Sequence, residues 1–199
     1  MRTDNTVALH SHALGTLKYI RASIDAAGTI AVPGSAGIAM GTAGMAATLL
    51  VRIHWLSPYW MAIWIVAAVG AAAVGSMRMA RQAARGELTL TRGPTRKFIL
   101  TLCPALLAGA VLTFVLTQVG ESRLIPGIWL LLYGCAVLSA TMMSAPSTSR
   151  LIGTMGALFV LLGILAFELP ERWHNLILGL GFGALHLIFG VLIGHQSRE

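Results

Sequence analysis

The groups in this chain able to do acid–base, redox or metal chemistry are few: six histidines, seven carboxylates, two cysteines and three tyrosines. His186 is the one set deepest in apolar sequence, between Gly183 and Gly190 in a stretch without a charge. An imidazole in such surroundings contacts a ligand, handles a proton or touches a haem or quinone, or else is held structurally by a hydroxyl or carbonyl across a helix contact. Tyr133, in a second uncharged stretch, is its candidate ligand-binding partner. The other histidines lie apart from it. His54 and His174 fall in short polar connections, His195 near the chain end, and His10 and His12 in the N-terminal segment. Two residues apart on a helix, His10 and His12 point in different directions and read as solvated rather than metal-binding. No H-E-x-x-H, G-x-S-x-G or P-loop pattern occurs, and the only carboxylate in an apolar stretch, Glu168, stands at its end. A carboxylate proton relay and a bis-histidine haem site are not expected, which leaves ligation by a methionine as the haem option. Enzyme activity is not expected, and cofactor and metal stay unassigned.

The elements that would hold these residues are six apolar segments, at 33–51, 58–77, 98–119, 126–144, 151–169 and 176–194. Each is close to the roughly 20 residues a helix needs to cross a bilayer. A chain with 56% apolar and 11% charged residues fits the same class. The fold expected is all-α: a polytopic membrane protein with six transmembrane helices over residues 33–199. Residues 1–32 precede it. There Leu9, Ala13, Leu17, Ile20 and Ile24 share one helical side and Ser11, Lys18, Arg21 and Asp25 the other. That pattern predicts an interfacial amphipathic helix on the cytoplasmic face, ended by Gly28.

Eleven of the 14 Lys and Arg fall in the N-terminal segment, the Arg78–Lys97 loop, the 145–150 loop and the C-terminal end. The positive-inside rule then places both termini in the cytoplasm. Trp55, Tyr59, Trp60, Trp129 and Trp173 collect at the opposite boundary, where amphipathic rings suit the headgroup layer. The +7 formal charge is read as facing anionic lipid at the cytoplasmic side, not nucleic acid, since no recognition motif accompanies it. Cys103 and Cys135 lie in apolar segments and read as small core residues, without a disulfide. No cleavable signal peptide is expected, because the first long apolar run starts only near Pro33.

Glycines mark the expected helix contacts. Gly34, Gly37, Gly41, Gly44 and Thr48 lie within about 80° on the first helix at 100° per residue, and Gly179, Gly183, Gly190 and Gly194 share a face of the last. Such faces let backbones approach closely. Either the two helices pack together and close the bundle, or one serves a homo-oligomer contact. Gly183→Leu and Gly41→Leu should each push a helix outward, and Gly181, on the opposite face of its helix, is expected to take leucine more mildly. Two repeat registers fit equally. One sets Pro33-Gly34 and Gly41 against Pro126-Gly127 and Gly134, an inverted three-plus-three repeat. The other pairs hairpins, with Leu107-Ala108-Gly109 against Leu161-Leu162-Gly163 and Tyr133-Gly134 against Phe189-Gly190.

The stretches AVPGSAGIAMG, RGPTRKF, PGIWLLLYG and GFGALHLIFG resemble those of a group of uncharacterised bacterial inner-membrane proteins of similar length. The likeness covers most of the chain and implies no assigned activity. GILAFELP followed by GFGALHLIFG is similar to the helical hairpins of the bacterial acid-resistance membrane protein family, over the last two helices. The function expected is a non-catalytic membrane protein, either a small transporter-like unit or a membrane-stress component. The alternatives are a ligand-binding or redox subunit using His186, or an accessory subunit that scaffolds a membrane complex.

Overall fold

A computed structural model describes residues 16–17, 33–84, 94–144 and 146–196. Among them the chain is all-helical, without a strand. The expected amphipathic helix, with His10 and His12, lies outside the described residues apart from Thr16 and Leu17, which are helical. Five long helices follow: α1 (Gly34–Val51), α2 (Trp60–Ala84), α3 (Pro94–Gln118), α4 (Ile125–Ala140) and α5 (Pro146–Glu168). The sixth, α6, is composite. It joins an α-helix His174–Leu178, a π-helix Gly179–Leu185 and an α-helix His186–Gln196. Six of these helical segments are long and apolar enough to cross a membrane.

Helix ends follow backbone chemistry more than hydropathy. Prolines open α3 (Pro94) and α5 (Pro146) and sit in the first turn of α4 (Pro126), where a missing N–H costs nothing. α2 runs on past Met77 to Ala84 because its Ala, Arg and Met residues are good helix formers whatever their polarity. α4 ends at Ala140, short of the expected 144, and tightens into a 3-10 turn over Thr141–Met143. Gly120, at φ 80°, closes α3 while the N–H of Glu121 returns to the carbonyl of Leu116 at 2.8 Å. That left-handed position favours glycine.

The helices are laid out as three hairpins, α1–α2, α3–α4 and α5–α6. Each second helix is entered through a three-residue 3-10 turn: Ser57–Tyr59, Ser122–Leu124 and Glu171–Trp173. All three turns lie at one end of the bundle, called here the turn end. α6 is central, packed against α1 and α5 and touching α4, while α3 lies on α4 alone. Half of the most apolar window of α6 is buried and none of that of α3. The core gathers Trp64, Leu130, Phe159, Ile177 and Leu178. Cys103 and Cys135 are not part of it: both are exposed free thiols. A thiol is small and only weakly polar, so little decides which side of an apolar helix it takes.

Two seams are built from glycine. At α1–α6, a β-carbon on Gly41 would lie 2.6 Å from the backbone N of Leu187 and 2.8 Å from the carbonyl of Gly183. One on Gly190 would lie 2.7 Å from the N of Ile38 and 2.9 Å from the carbonyl of Gly34. The α4–α5 seam repeats this. A β-carbon on Gly163 would meet the N of Leu131 at 2.8 Å and the carbonyl of Gly127 at 3.0 Å, and one on Gly134 the N of Val160 at 2.8 Å and the carbonyl of Gly156 at 2.9 Å. A single shift carries Gly127, Leu131 and Gly134 onto Gly183, Leu187 and Gly190. Another carries Gly156, Val160 and Gly163 onto Gly34, Ile38 and Gly41. The contacts follow the hairpin register. Under the inverted one Gly41 and Gly134 would meet equivalent helices, yet Gly41 meets α6 and Gly134 meets α5.

Candidate functional site

About halfway along α6, the first residue after the π-helix is His186, 3% exposed. Its Nε2 lies 2.7 Å from the Tyr133 hydroxyl across the α4–α6 contact. The two residues that sequence singled out are therefore hydrogen-bonded partners. Two further rings, Phe159 and Phe182, close around the bond. Tyr133 lies 4.8 Å from Phe159 and 5.2 Å from Phe182 between centroids, and Phe182 stacks on the imidazole at 6.3 Å with planes 15° apart. Phe159 meets the imidazole edge-on at 5.4 Å. Such tilted and edge contacts suit ring quadrupoles and add packing to the burial.

The second imidazole nitrogen, Nδ1, is buried without a hydrogen-bond partner. The backbone carbonyls of Gly181 and Phe182, in the widened π-turn just before it, lie close to the imidazole. This fixes the hydrogen count. The pair in its neutral form carries two hydrogens, the phenol O–H and one N–H, and has one aligned bond to receive them. Placing the N–H on Nδ1, beside those carbonyls, lets Tyr133 donate to Nε2 and leaves the smaller deficit.

His186 also has a place in the repeat. The shift that carries α1 onto α5 carries Trp64 of α2 onto His186, and the shift from α4 to α6 carries Leu130 onto it. Trp64 is 3% and Leu130 0% exposed. All three second helices thus turn the same register position inward, and of the three residues only His186 is ionisable near neutral pH. No group of three His, Cys, Asp or Glu gathers for a metal among the described residues. A groove of about 430 Å³ between α1 and α2, lined by residues such as Ala43, Leu50 and Gly70, lies apart from the pair and offers no converging polar groups.

The predicted packing residues fall as follows. Gly34, Gly37, Gly41 and Gly44 face Gly190, Leu187 and Phe182 of α6, and Gly179 and Gly183 face Thr48 and Met45 of α1. Gly194 sits less tightly, since its β-carbon would be 3.9 Å from Gly34. Gly181 overturns its expectation. A β-carbon there would lie 2.5 Å from Leu130 and 3.1 Å from Phe159, both fully buried. A central helix is packed on more than one side, so its opposite face is also a contact.

A second polar group near the turn end escaped the sequence reading. Trp64 Nε1 donates to Asn175 Oδ1 at 3.1 Å, and Asn175 Nδ2 donates to the carbonyl of Thr48 at 3.0 Å. That carbonyl belongs to the last turn of α1, where helical acceptors lack an intrahelical donor. One amide therefore ties α2 and α1 to α6. A lone asparagine at the edge of an apolar run was the available signal. A similar bond, Trp129 Nε1 to Thr113 Oγ1 at 2.7 Å, ties α4 to α3. We expect Asn175→Leu to cost about 1–3 kcal/mol, by stranding Trp64 and the Thr48 carbonyl. Trp64→Phe, which gives up one of these bonds, should cost less. Denaturant titration of the purified protein would show the order, and equal stability of Asn175→Leu and wild type would remove the clamp.

These features define an all-helical protein of three glycine-seamed hairpins, with six helices long and apolar enough to cross a membrane and one polar pair sealed among them. Compared with protein-family models, curated proteins and solved structures, the chain matches none.

Proposed function

We propose that this chain is a multi-pass protein of a bacterial inner membrane, with both termini cytoplasmic, that works as a small transporter-like unit without catalytic apparatus. The exposed surface supports the lipid setting: Val66, Leu107, Val111, Phe114 and Leu161 are each more than half exposed, a coat that water would not tolerate. Cationic loops on the terminal side would meet anionic lipid there. Reporter fusions in the Arg78–Lys97 loop and at Glu199 should read cytoplasmic, and those beside Arg123 and Arg172 external. An external C-terminus would overturn the six-span reading.

The transporter-like part rests on one observation. A hydrogen-bonded imidazole lies halfway along the central apolar helix, directly after an irregular turn of backbone. Ionisable groups at such depth mark functional pathways, and π-turns recur at working sites in helices. Three glycines in the turn, Gly179, Gly181 and Gly183, give its backbone freedom to change between helical forms. Tyr133 and His186 would be the polar contact and α6 the moving element. The test is proton flux into dye-loaded vesicles under a potassium diffusion potential. Wild type should exceed His186→Gln and protein-free vesicles; equal flux in all three would remove the reading. Stoichiometric haem absorption or bound quinone in the purified protein, lost in His186→Gln, would instead establish the redox-subunit alternative.

A further inference from the structure

Both glycine faces that could have served an oligomer are spent inside the chain, on the α1–α6 and α4–α5 seams. The repeat has a third seam. In each built seam the second helix of one hairpin receives, antiparallel, the first helix of the next: α4 receives α5, and α6 receives α1. By the same register α2 should receive α3. The shift from α2 to α6 carries Met61, Ile65, Ala68 and Ala72 onto Gly183, Leu187, Gly190 and Gly194.

That this register holds on α2 is visible from its other side. Trp64 and Ala71 are buried at 3% and 8%, as are their counterparts Leu130 and Val137 on α4 and His186 and Ile193 on α6. The face of α2 that would form the seam is nonetheless uncovered: Ile65 is 43% exposed, and Ala68 and Ala72 are exposed. Among the described residues α3 packs on α4, with no comparable packing on α2. Its own half of the seam is open too, with Leu106 59% exposed.

We infer that a second copy of this chain completes the third seam, α2 of one protomer receiving α3 of the other in both directions. The geometry singles out this pairing. A twofold axis along the bundle keeps both copies in the same membrane orientation, sets α2 antiparallel to the partner's α3, and makes the reciprocal contact at once. Pairing α2 with α2 would be parallel, unlike either built seam. Met61 and Ala68 stand where Gly183 and Gly190 allow backbone contact, so the third seam is looser than the two inside the chain. A looser fit suits a contact between subunits. The proposal does not depend on what the protein carries.

Disulfide trapping tests it in intact membranes. In a background with Cys103→Ser and Cys135→Ser, one tagged copy carries Ala68→Cys and a differently tagged copy carries Leu106→Cys. The hairpin register sets Leu106 where Val160 stands, the residue that meets Gly134 in the α4–α5 seam, and Ala68 where Gly134 stands. Oxidation should give a covalent dimer bearing both tags, several-fold above a control pairing Ala68→Cys with Ala157→Cys, which is exposed on α5. Subunit counting of labelled wild type by photobleaching in bilayers should show two steps. A link formed only within one chain carrying both cysteines would show that α3 closes the ring by itself and would overturn the dimer. Absence of any link, or single-step bleaching, would overturn it as well.

Discussion

Gly41→Leu should destabilise the folded bundle by about 3 kcal/mol, near the upper end of what overpacking costs. A β-carbon there already falls 2.6 Å from the backbone N of Leu187 and 2.8 Å from the carbonyl of Gly183. Backbone cannot swing aside as a side-chain tip can, so α1 and α6 must separate, and the contact holding the first hairpin to the third is lost with them. Gly134→Leu should do the same at α4–α5, where Val160 and Gly156 present backbone at 2.8 and 2.9 Å. Gly181→Leu should fall between these two and a neutral change, because the nearest atoms it meets are the fully buried side chains of Leu130 and Phe159 and not backbone. Gly70→Leu is the contrast: a β-carbon there meets nothing within 4 Å, and replacing a helical glycine recovers up to about 1 kcal/mol of propensity. Unfolding in mixed micelles would rank the four. Gly70→Leu falling as far as Gly41→Leu would remove the seam assignment.

The second large effect is a coupling. Tyr133→Phe leaves His186 Nε2 buried without its 2.7 Å partner, and His186→Leu leaves the Tyr133 hydroxyl in the same position. Each should cost about 1–3 kcal/mol, the penalty for stranding a buried polar group. The double variant Tyr133→Phe/His186→Leu strands neither. Its loss should fall short of the sum of the single losses by about 1 kcal/mol or more. Leu130, in the matching place on α4, shows that the repeat accepts leucine at this level. His186→Gln should lose less than His186→Leu, because an amide can still accept from the phenol. Strict additivity in the double variant would mean that the short distance carries no energetic pair.

How far the sequence reached is clear from particular residues. The six helices were legible because a long run of apolar residues has few other ways to satisfy its backbone, and that requirement is local. The glycine faces of α1 and α6 were legible because 100° per residue places Gly34, Gly41, Gly183 and Gly190 by arithmetic alone. Tyr133 was a reasonable partner for His186, but only packing puts their atoms 2.7 Å apart. Phe159 and Phe182, which close the site, carry no mark that separates them from other aromatic residues in apolar helices.

Where the arithmetic failed, the fold had moved the reference. The sequence puts Gly181 on the face of its helix opposite Gly183, where a regular helix packed on one side only would leave room for leucine. α6 is instead central, and its π-turn breaks the 3.6-residue period just there. Cys103 and Cys135 read as small polarizable core residues, but both are exposed, because a small thiol gains little from either side of an apolar helix. Asn175 was passed over because it stands one residue outside an apolar run, and its two partners, Trp64 and Thr48, lie far away in sequence. The sequence by itself determined the helices, their small-residue faces and the isolation of one histidine, since each follows from local composition and period. Which helix is central, which repeat register is real and which hydroxyl meets the imidazole were decided by tertiary structure, because each depends on contacts between segments that no local rule relates.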